Sequence, residues 1–462
     1  MDATLTFLEK LEKASNFRNR DRAKWLNEYN RRITAKYDAA GTNPELERYW
    51  SQSDRLSATA ANSKQVRERL RSRSRYECQE SNCYAKGMLL AKTNDVIGRG
   101  PQLQITTPER ALNVEVQRRW NQWSRSIALD CKIRTGYGAK VGDGETFGQR
   151  TFNAGGRDDV KLDVRFTEAD LWTDPEFNIG EPNQDDGIQY DESGNPVTYR
   201  RLDSHPGDNF GFDRSFKDIP ADDVIHWYRC DRPGQRRGVP EFTAALPLFA
   251  ELRRYRMAVL TAAETAANLS AVMFSDANAF SDAPDELDDD FLTISLERRA
   301  LLTLPAGWKM EQLRPNQPQE NHVAFVESIA SEIGRTLQMP LNIVIGSSRQ
   351  YNYSSGRLDY LLYWNSCDTE RSECELLVLD RIFGWWLDEA LLIPGYLPRL
   401  GSFEVLPHRW KFPARRPLDE VKAAQADQIR FELGQLTDED WATREAIDIE
   451  EHYERQIGRA HV

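Results

Sequence analysis

Cysteine, histidine and clustered carboxylate are the side chains that most often do chemistry, and here their spacing points away from it. The six cysteines, Cys78, Cys83, Cys131, Cys230, Cys367 and Cys374, include no CxxC pair, and the six histidines stand singly. A zinc site wants thiolate and imidazole ligands close together. The cysteines are therefore expected to be reduced, buried small apolar groups, and no metal or cofactor is expected. Two segments imitate metal sites. Asp191-Glu192-Ser193-Gly194-Asn195-Pro196 begins like an EF-hand loop, but Pro196 stands where that loop needs glycine and Leu202 where it needs the closing glutamate. A hairpin turn is the expected reading. The carboxylates of Asp285, Glu286, Asp288, Asp289 and Asp290 are numerous enough to hold two Mg²⁺ for nuclease chemistry. Crowded on one flexible loop, however, they lack the rigid geometry that chemistry needs, and a solvated acidic loop is expected.

Nucleotide and hydrolase signatures are missing as well. There is no GxxxxGK[ST] to cradle phosphates, no GxSxG and no HExxH, and Gly98-Arg99-Gly100 lacks the third glycine of a dinucleotide loop. A non-catalytic structural or assembly protein is the class left standing. The net charge of -12 argues against tight binding of nucleic acid, because affinity for DNA comes mainly from cations that neutralise phosphates. It does not exclude a protein that guides DNA, since a channel should not trap its cargo. The strongest basic run is Arg67-Glu68-Arg69-Leu70-Arg71-Ser72-Arg73-Ser74-Arg75. A DNA contact is one reading of it; a solvated or subunit-pairing helix face is the preferred one. Gly346-Ser347-Ser348-Arg349-Gln350-Tyr351-Asn352-Tyr353-Ser354-Ser355 is a polar, flexible loop between two helical patterns, and Ser354 or Ser355 can cap the second.

The elements that must position these groups can be read from periodicity. With 462 residues the chain has room for two or three domains. No run approaches the roughly 18 apolar residues of a membrane helix. Met1 to Lys13 has no signal-peptide core, so the chain is expected to be made and used in a cytoplasm. Met88, Leu89, Ala91, Val96 and Ile97 mark a buried helix over 84–97, stopped by Gly98-Arg99-Gly100-Pro101. Leu103 and Ile105 alternate as in a strand, and a helix carrying Trp120 and Trp123 is predicted over 108–124. Residues 142–230 read mainly as β, with a hairpin whose tip is Glu192 to Pro196. Residues 241–269 predict a helix roughly 40 Å long at about 1.5 Å per residue. Short strands are expected over 291–304 and 309–313. Val323, Val326, Ile329, Ile333 and Leu337 form a helical stripe ending before Pro340. A long helix over about 356–392 is expected to kink, and a last one covers 418–433.

Several strings in order carry a resemblance beyond that. Arg71-Ser72-Arg73-Ser74-Arg75, Asn82-Cys83-Tyr84-Ala85-Lys86-Gly87 and Val96-Ile97-Gly98-Arg99-Gly100 come first. Gly142-Asp143-Gly144-Glu145-Thr146-Phe147 and the hairpin 187–199 follow. The most specific block is Ile219-Pro220-Ala221-Asp222-Asp223-Val224-Ile225-His226-Trp227-Tyr228 with Asp231 to Pro240; Pro315-Asn316-Gln317-Pro318 and Tyr351 to Arg357 close the set. Over residues 65 to about 390 the chain resembles the lambda-like family of bacteriophage portal proteins.

The resemblance implies an α+β, multidomain, ring-forming subunit with wing, α-helical stem, small clip and helical crown. Residues 1–240 would be wing (mixed α/β), 241–269 a stem helix, 270–321 the clip and 322–340 the second stem helix. Residues 341–355 would be a tunnel loop, 356–415 the long helix and its return to wing and crown, and 416–462 crown. Twelve copies of Ser347, Ser348, Arg349, Gln350, Tyr351, Asn352 and Tyr353 would ring double-stranded DNA without reading its bases, and Arg232, Arg236 and Arg237 would make inter-subunit ion pairs. Implied partners are the other subunits of the ring (a homododecamer), the terminase large subunit, the major capsid protein and head-completion or tail adaptor proteins. The implied place is the capsid portal vertex of the virion, after assembly in the host cytoplasm, with no membrane involved. Another ring-forming neck or adaptor protein, and a metal-dependent DNA-processing enzyme using the acidic loop, stay open as alternatives. Ile457-Gly458-Arg459-Ala460-His461-Val462 matches one frame of a common sequencing adapter; an artefactual end to a longer crown is expected.

Overall fold

The computed structural model describes residues 53, 55–175, 183–208, 215–268, 272–275, 308–311, 322–349, 352–398, 406–415 and 419–445, with single positions at 23, 24, 27, 447, 452 and 453. The chain divides into two compact units, 1–57 and 58–462, and the description below concerns the second.

One turn, Ala58–Ala61, precedes helix α1, Lys64–Arg75, and a π-helical turn, Tyr76–Ser81. Asn82 then caps α2, Cys83–Val96, by accepting the N–H groups of Tyr84 and Ala85. Strand β1 is Gln102–Ile105, and α3, Arg110–Ser126, buries Trp120 and Trp123 as its spacing predicts. Helix α4, Leu129–Asp143, was not legible. Gly136, Gly138 and Gly142 lower its intrinsic propensity, but the helix is held from outside: Ile133, Tyr137 and Val141 point into the core.

The β region follows as predicted. Its strands are β2 (Glu145–Phe152), β3 (Leu162–Glu168), β4 (Gln184–Asp185), β5 (Ile188–Tyr190), β6 (Pro196–Leu202), β7 (Phe216–Pro220) and β8 (Val224–Tyr228). They form two antiparallel sheets, ordered β3-β2-β8 and β4-β5-β6-β7. The turn between β5 and β6 is closed on itself, because Asp191 Oδ1 accepts the Asn195 N–H at 2.7 Å. The would-be EF-hand start is thus a hairpin turn.

The second half is mostly helical: α5 (Leu246–Asn268), β9 (Val272–Ser275), β10 (Trp308–Glu311), α6 (His322–Arg335), α7 (Leu341–Ile345) and α8 (Tyr353–Cys374). A π-turn at Glu375–Leu379, α9 (Asp380–Leu392), β11 (His408–Lys411), α10 (Glu420–Glu432) and α11 (Asp438–Arg444) complete it. β9 pairs with β10, and β11 pairs with β1. Two boundaries differ from the sequence reading, and the expected kink is located. α5 starts at Leu246 rather than 241, because Pro247 has no N–H and is tolerated only in the first turn. The interruption expected in the 356–392 helix is the π-turn, which inserts a residue without a proline. Residues 341–345, assigned to the tunnel loop, are helical: Leu341, Ile343 and Val344 find apolar cover, and Gly346 ends the turn in the left-handed region, φ 65°. The acidic loop 282–290 and the strand expected over 291–304 lie outside the described residues.

One core runs through both halves. At its centre Trp120 of α3 meets Phe383 and Trp386 of α9 and Trp410 of β11, with ring centroids 5.6, 5.5 and 5.5 Å away in edge-on geometry. Such pairs contribute about 0.5–1.5 kcal/mol each beyond the area they bury. A smaller core of Phe147, Trp172, Ile188, Tyr199, Ile219 and Val224 lies between the two sheets.

Candidate functional site

The loop between α7 and α8 is held at both ends. On the α7 side, Ser347 N–H donates to the Asn342 carbonyl at 3.1 Å, and Asn342 Nδ2 donates to the Tyr360 hydroxyl at 3.2 Å. On the α8 side, Asn352 is the cap: its Oδ1 accepts the Ser355 N–H at 2.9 Å. The cap is thus two positions earlier than Ser354 and three earlier than Ser355, and the helix starts at Tyr353. Ser348 and Arg349 are exposed and Ser347 is half-buried. Gln350 and Tyr351 lie outside the described residues, as does the Tyr353 side chain. Replacing Asn352 with alanine is expected to cost about 1 kcal/mol and to loosen the first turn of α8; faster hydrogen exchange at Ser354 to Gly356 would register it.

The arginines of α1 do something the sequence did not suggest. Arg67 and Arg71 are buried and Arg75 half-buried, all on the face that packs on the protein, so neither the DNA-contact nor the solvated reading holds for them. They meet the carboxylates of α4, β2 and the segments on either side of β4. Arg75 holds Asp143 at 2.7 Å and Asp170 at 2.7 Å, Arg71 holds Asp170 at 2.8 Å, and Arg67 holds Asp186. At the centre is Glu145, fully buried. Its Oε1 accepts from Arg71 at 2.9 Å and Arg237 at 2.8 Å. Its Oε2 accepts from Arg237 Nε at 2.9 Å, the Gly238 N–H at 3.0 Å and His226 Nε2 at 3.1 Å.

Arg237 therefore belongs to the interior, and the expected inter-subunit ion pair is corrected for it. Its guanidinium also donates to the carbonyls of Asp186 and Trp172 at 2.9 and 3.1 Å. Arg236 is half-buried and stacks on the Tyr190 ring at 4.2 Å, while Arg232 is exposed. The backbone is as tightly specified as the charges. Gly144 has φ +92°, and a Cβ there would sit 2.2 Å from the Val239 carbonyl carbon; one at Gly238 would sit 2.1 Å from the Gly144 oxygen. Only glycines let these two segments pass.

Burial alone would raise the Glu145 pKa, but Arg237 and the hydrogen bond from His226 outweigh it and hold the carboxyl well below its ordinary range. Burial lowers the His226 pKa against the pull of Glu145, so the ring is neutral at neutral pH and donates its Nε2–H.

A second buried cluster joins α2, α4, the entry to α5 and α8. Lys140 reaches Glu241 at 2.7 Å and Glu370 at 2.9 Å, Lys92 reaches Glu370 at 3.1 Å, and the Tyr137 hydroxyl donates to Glu370. Arg229 closes the group on Glu241 at 3.0 Å. The potential metal ligands among the described residues are Glu168, Asp170 and His205, whose donor atoms lie within 4.8 Å of one another. Arg75 stands 2.7 Å from Asp170 and 3.5 Å from Glu168, so a cation already offsets their charge. The six cysteines are free; Cys78, Cys367 and Cys374 are buried, whereas Cys83, Cys131 and Cys230 are exposed, against the expectation for those three. The hub thus joins three of the ordered motifs, contributing Arg71, Glu145 and the pair His226 and Arg237. Its geometry serves cohesion rather than turnover, since every charged group is matched and shut away from solvent.

Comparison with known proteins bears on what such a chain is. A family model described as phage portal protein, lambda family, matches residues 45–371. The probable portal protein of Halomonas phage phiHAP-1 is 26% identical over 267 residues, 54% of this chain and 50% of that protein; the match thus spans about half that relative's length. Two solved structures of gene transfer agent particles also match. The neck of an empty particle computed with C6 symmetry gives a TM-score of 0.48 at 14% identity, over 81% of this chain and 93% of that one. The virion of a native particle gives 0.45 at 13% identity, over 82% and 93%. With a family model spanning 45–371 and the motif blocks it contains converging on Glu145, the chain belongs to the lambda family of phage portal proteins.

Proposed function

We propose that this chain is the subunit of a ring, of twelve copies, that forms the channel at one capsid vertex through which double-stranded DNA is packaged and ejected. The observation that carries the proposal is family membership over residues 45–371. On this reading residues 1–240 are wing, 241–269 and 322–340 stem, 270–321 clip, 346–355 tunnel loop, 356–415 the long helix and its return, and 416–462 crown. The ring is assembled in the host cytoplasm and resides in the virion. It docks the terminase large subunit while the head is filled, then head-completion or tail adaptor proteins, and seats in the shell of major capsid protein. It carries no catalytic group of its own.

The exposed Arg349, on a loop pinned by Asn342 and Asn352, supports a transient contact with phosphates. Arg232 and Arg236 remain the candidates for ion pairs between subunits. Electron microscopy of the purified full chain tests the proposal: rings with a hole about as wide as a DNA duplex are expected, and a persistent monomer at high concentration would overturn it. Arg349→Ala is expected to leave ring assembly intact while lowering the fraction of DNA-filled heads. Equal filling by wild type and variant would remove Arg349 from the channel surface.

A further inference from the structure

A cleft of about 540 Å³ opens beside the buried hub, lined by Tyr190, Tyr199, Tyr228, Leu377, Arg236 and Arg381 among others. Its size is that of a site that takes a ligand or an anchoring side chain. Among the described residues nothing fills it, and two of its groups lack a hydrogen-bonded partner. Tyr199 is 4% exposed, yet among the described residues its hydroxyl has no hydrogen-bond partner. Arg236 stacks on Tyr190 at 4.2 Å but makes no hydrogen bond or close ion pair among the described residues. Arg381 is already engaged, donating to the Ala221 carbonyl and standing 3.8 Å from Asp222. The cleft therefore offers an aromatic and aliphatic wall with one guanidinium that feels the Asp185 charge but has no hydrogen-bonded partner among the described residues.

The complementary feature is at the far end of the same sheet. Phe152, the last residue of β2, is 73% exposed. It is held out by a fastened hairpin: Asn153 N–H donates to the Lys161 carbonyl at 2.8 Å. Lys161 Nζ in turn donates to the Gly156 and Asp158 carbonyls at 2.8 and 2.7 Å, and Asp158 accepts from Tyr396 at 2.8 Å. On the same loop Asp159 is exposed and forms no ion pair among the described residues. An aromatic knob with a free carboxylate beside it matches an aromatic cleft with such a guanidinium. The knob cannot fill its own cleft. Phe147 pairs with His226 on the cleft wall, and Phe152 lies five residues further along β2, about 16 Å at ~3.3 Å per residue. β2 is paired with β3 over that whole length and cannot fold back.

We infer that the Phe152 hairpin of one copy seats in the cleft of the next, with Phe152 against the tyrosines and Asp159 on Arg236. A patch that fits a different patch on an identical neighbour repeats head to tail and closes into a ring when the rotation allows. The inference rests on the ring reading above and names its contact.

The test uses the full chain in two co-expressed forms, Phe152→Cys and Pro196→Cys, position 196 being an exposed residue of the cleft. Peptide mass spectrometry after mild oxidation should find the 152–196 disulfide, which separates it from background at Cys83, Cys131 and Cys230. In parallel, Arg236→Glu and Asp159→Arg should each raise the concentration needed for half-assembly about tenfold. The double variant should return it toward wild type, with circular dichroism confirming that each folds. Rings of the two cysteine forms without the 152–196 link, or single variants that assemble like wild type, would overturn the contact and leave the ring standing. A wild-type chain that never forms rings would remove the ring reading, and the contact with it.

Discussion

Replacing Glu145 with alanine is expected to destabilise the fold by about 3–5 kcal/mol, the range for breaking a buried ion pair from one side. The substitution takes the central carboxylate from Arg71 and Arg237, each almost wholly buried and left with only Asp170 and Asp186, respectively, as carboxylate partners, and removes the acceptor for the Gly238 N–H and for His226. Denaturant unfolding of the purified chain checks this as a lower midpoint. Glu145→Gln keeps the shape and loses the charge, so its smaller loss separates packing from electrostatics. A midpoint for the alanine variant within error of wild type would show that Glu145 is dispensable.

The same hub gives stability a pH dependence of definite sign. Glu145 has a folded pKa below its ordinary 4.5, so its contribution is present above 4.5 and is lost as pH falls toward the folded value. His226 has a folded pKa below 6.5. Below 6.5 the unfolded chain takes up a proton that the folded chain refuses, which also costs stability. Asp170 and Asp186 are lowered as well, their arginine partners outweighing burial. Asp143 and Asp185, raised by burial, act in the opposite sense. The expected net result is stability that declines from about pH 6.5 downward and steepens below 4.5. Glu145→Ala should flatten the lower part of that curve.

The second large effect is expected at Glu370. Glu370→Leu leaves Lys140 sharing Glu241 with Arg229, and Lys92 with no carboxylate at its 3.1 Å partner position. A loss of about 3–5 kcal/mol follows from the same physics. The removed group has its own signature. Burial would raise the Glu370 pKa, but Lys140 and Lys92 prevail and lower it, so its contribution fades as pH falls below 4.5. A triple replacement of Lys92, Lys140 and Glu370 by leucine or methionine should be far less damaging than the single change, because no charge is left unpaired. If the single and triple variants unfold alike, the argument from stranded lysines is wrong.

What the sequence could and could not disclose has a physical pattern. Periodicity located α2, α3, α6 and the long α8–α9 run because their apolar residues recur at helical spacing. The β5–β6 hairpin was legible from its turn residues. The α1 arginines were misread because Arg67, Arg71 and Arg75 alternate with Arg69 and Arg73. Every face of that helix therefore carries cations, and no asymmetry betrays which one is buried. A four-residue repeat of arginine followed by an isolated buried-type glutamate near two glycines is the signal that could have found the hub. The spacing of Gly144 and Gly238, 94 residues apart by their numbers, gave no hint that their backbones cross. Arg237 was placed at a subunit boundary because it lies beside Pro240, where the family resemblance puts the joint between wing and stem. The carboxylate that claims it lies 92 residues earlier.

The hub shows how much of this fold is settled by distant residues, and the consequence is one of timing. Glu145 needs Arg71, which precedes it, and Arg237 and His226, which follow by 92 and 81 residues. During synthesis, at about 5–20 residues per second, the glutamate emerges several seconds before its principal cation. For that interval β2 carries an unmatched charge at the position that must later be driest, and β8 is not yet available to pair with it. A nascent chain cannot complete its first sheet until about half of it has been translated. A chain cut short before β8 thus has neither the matched hub nor the completed sheet, and presents no finished surface.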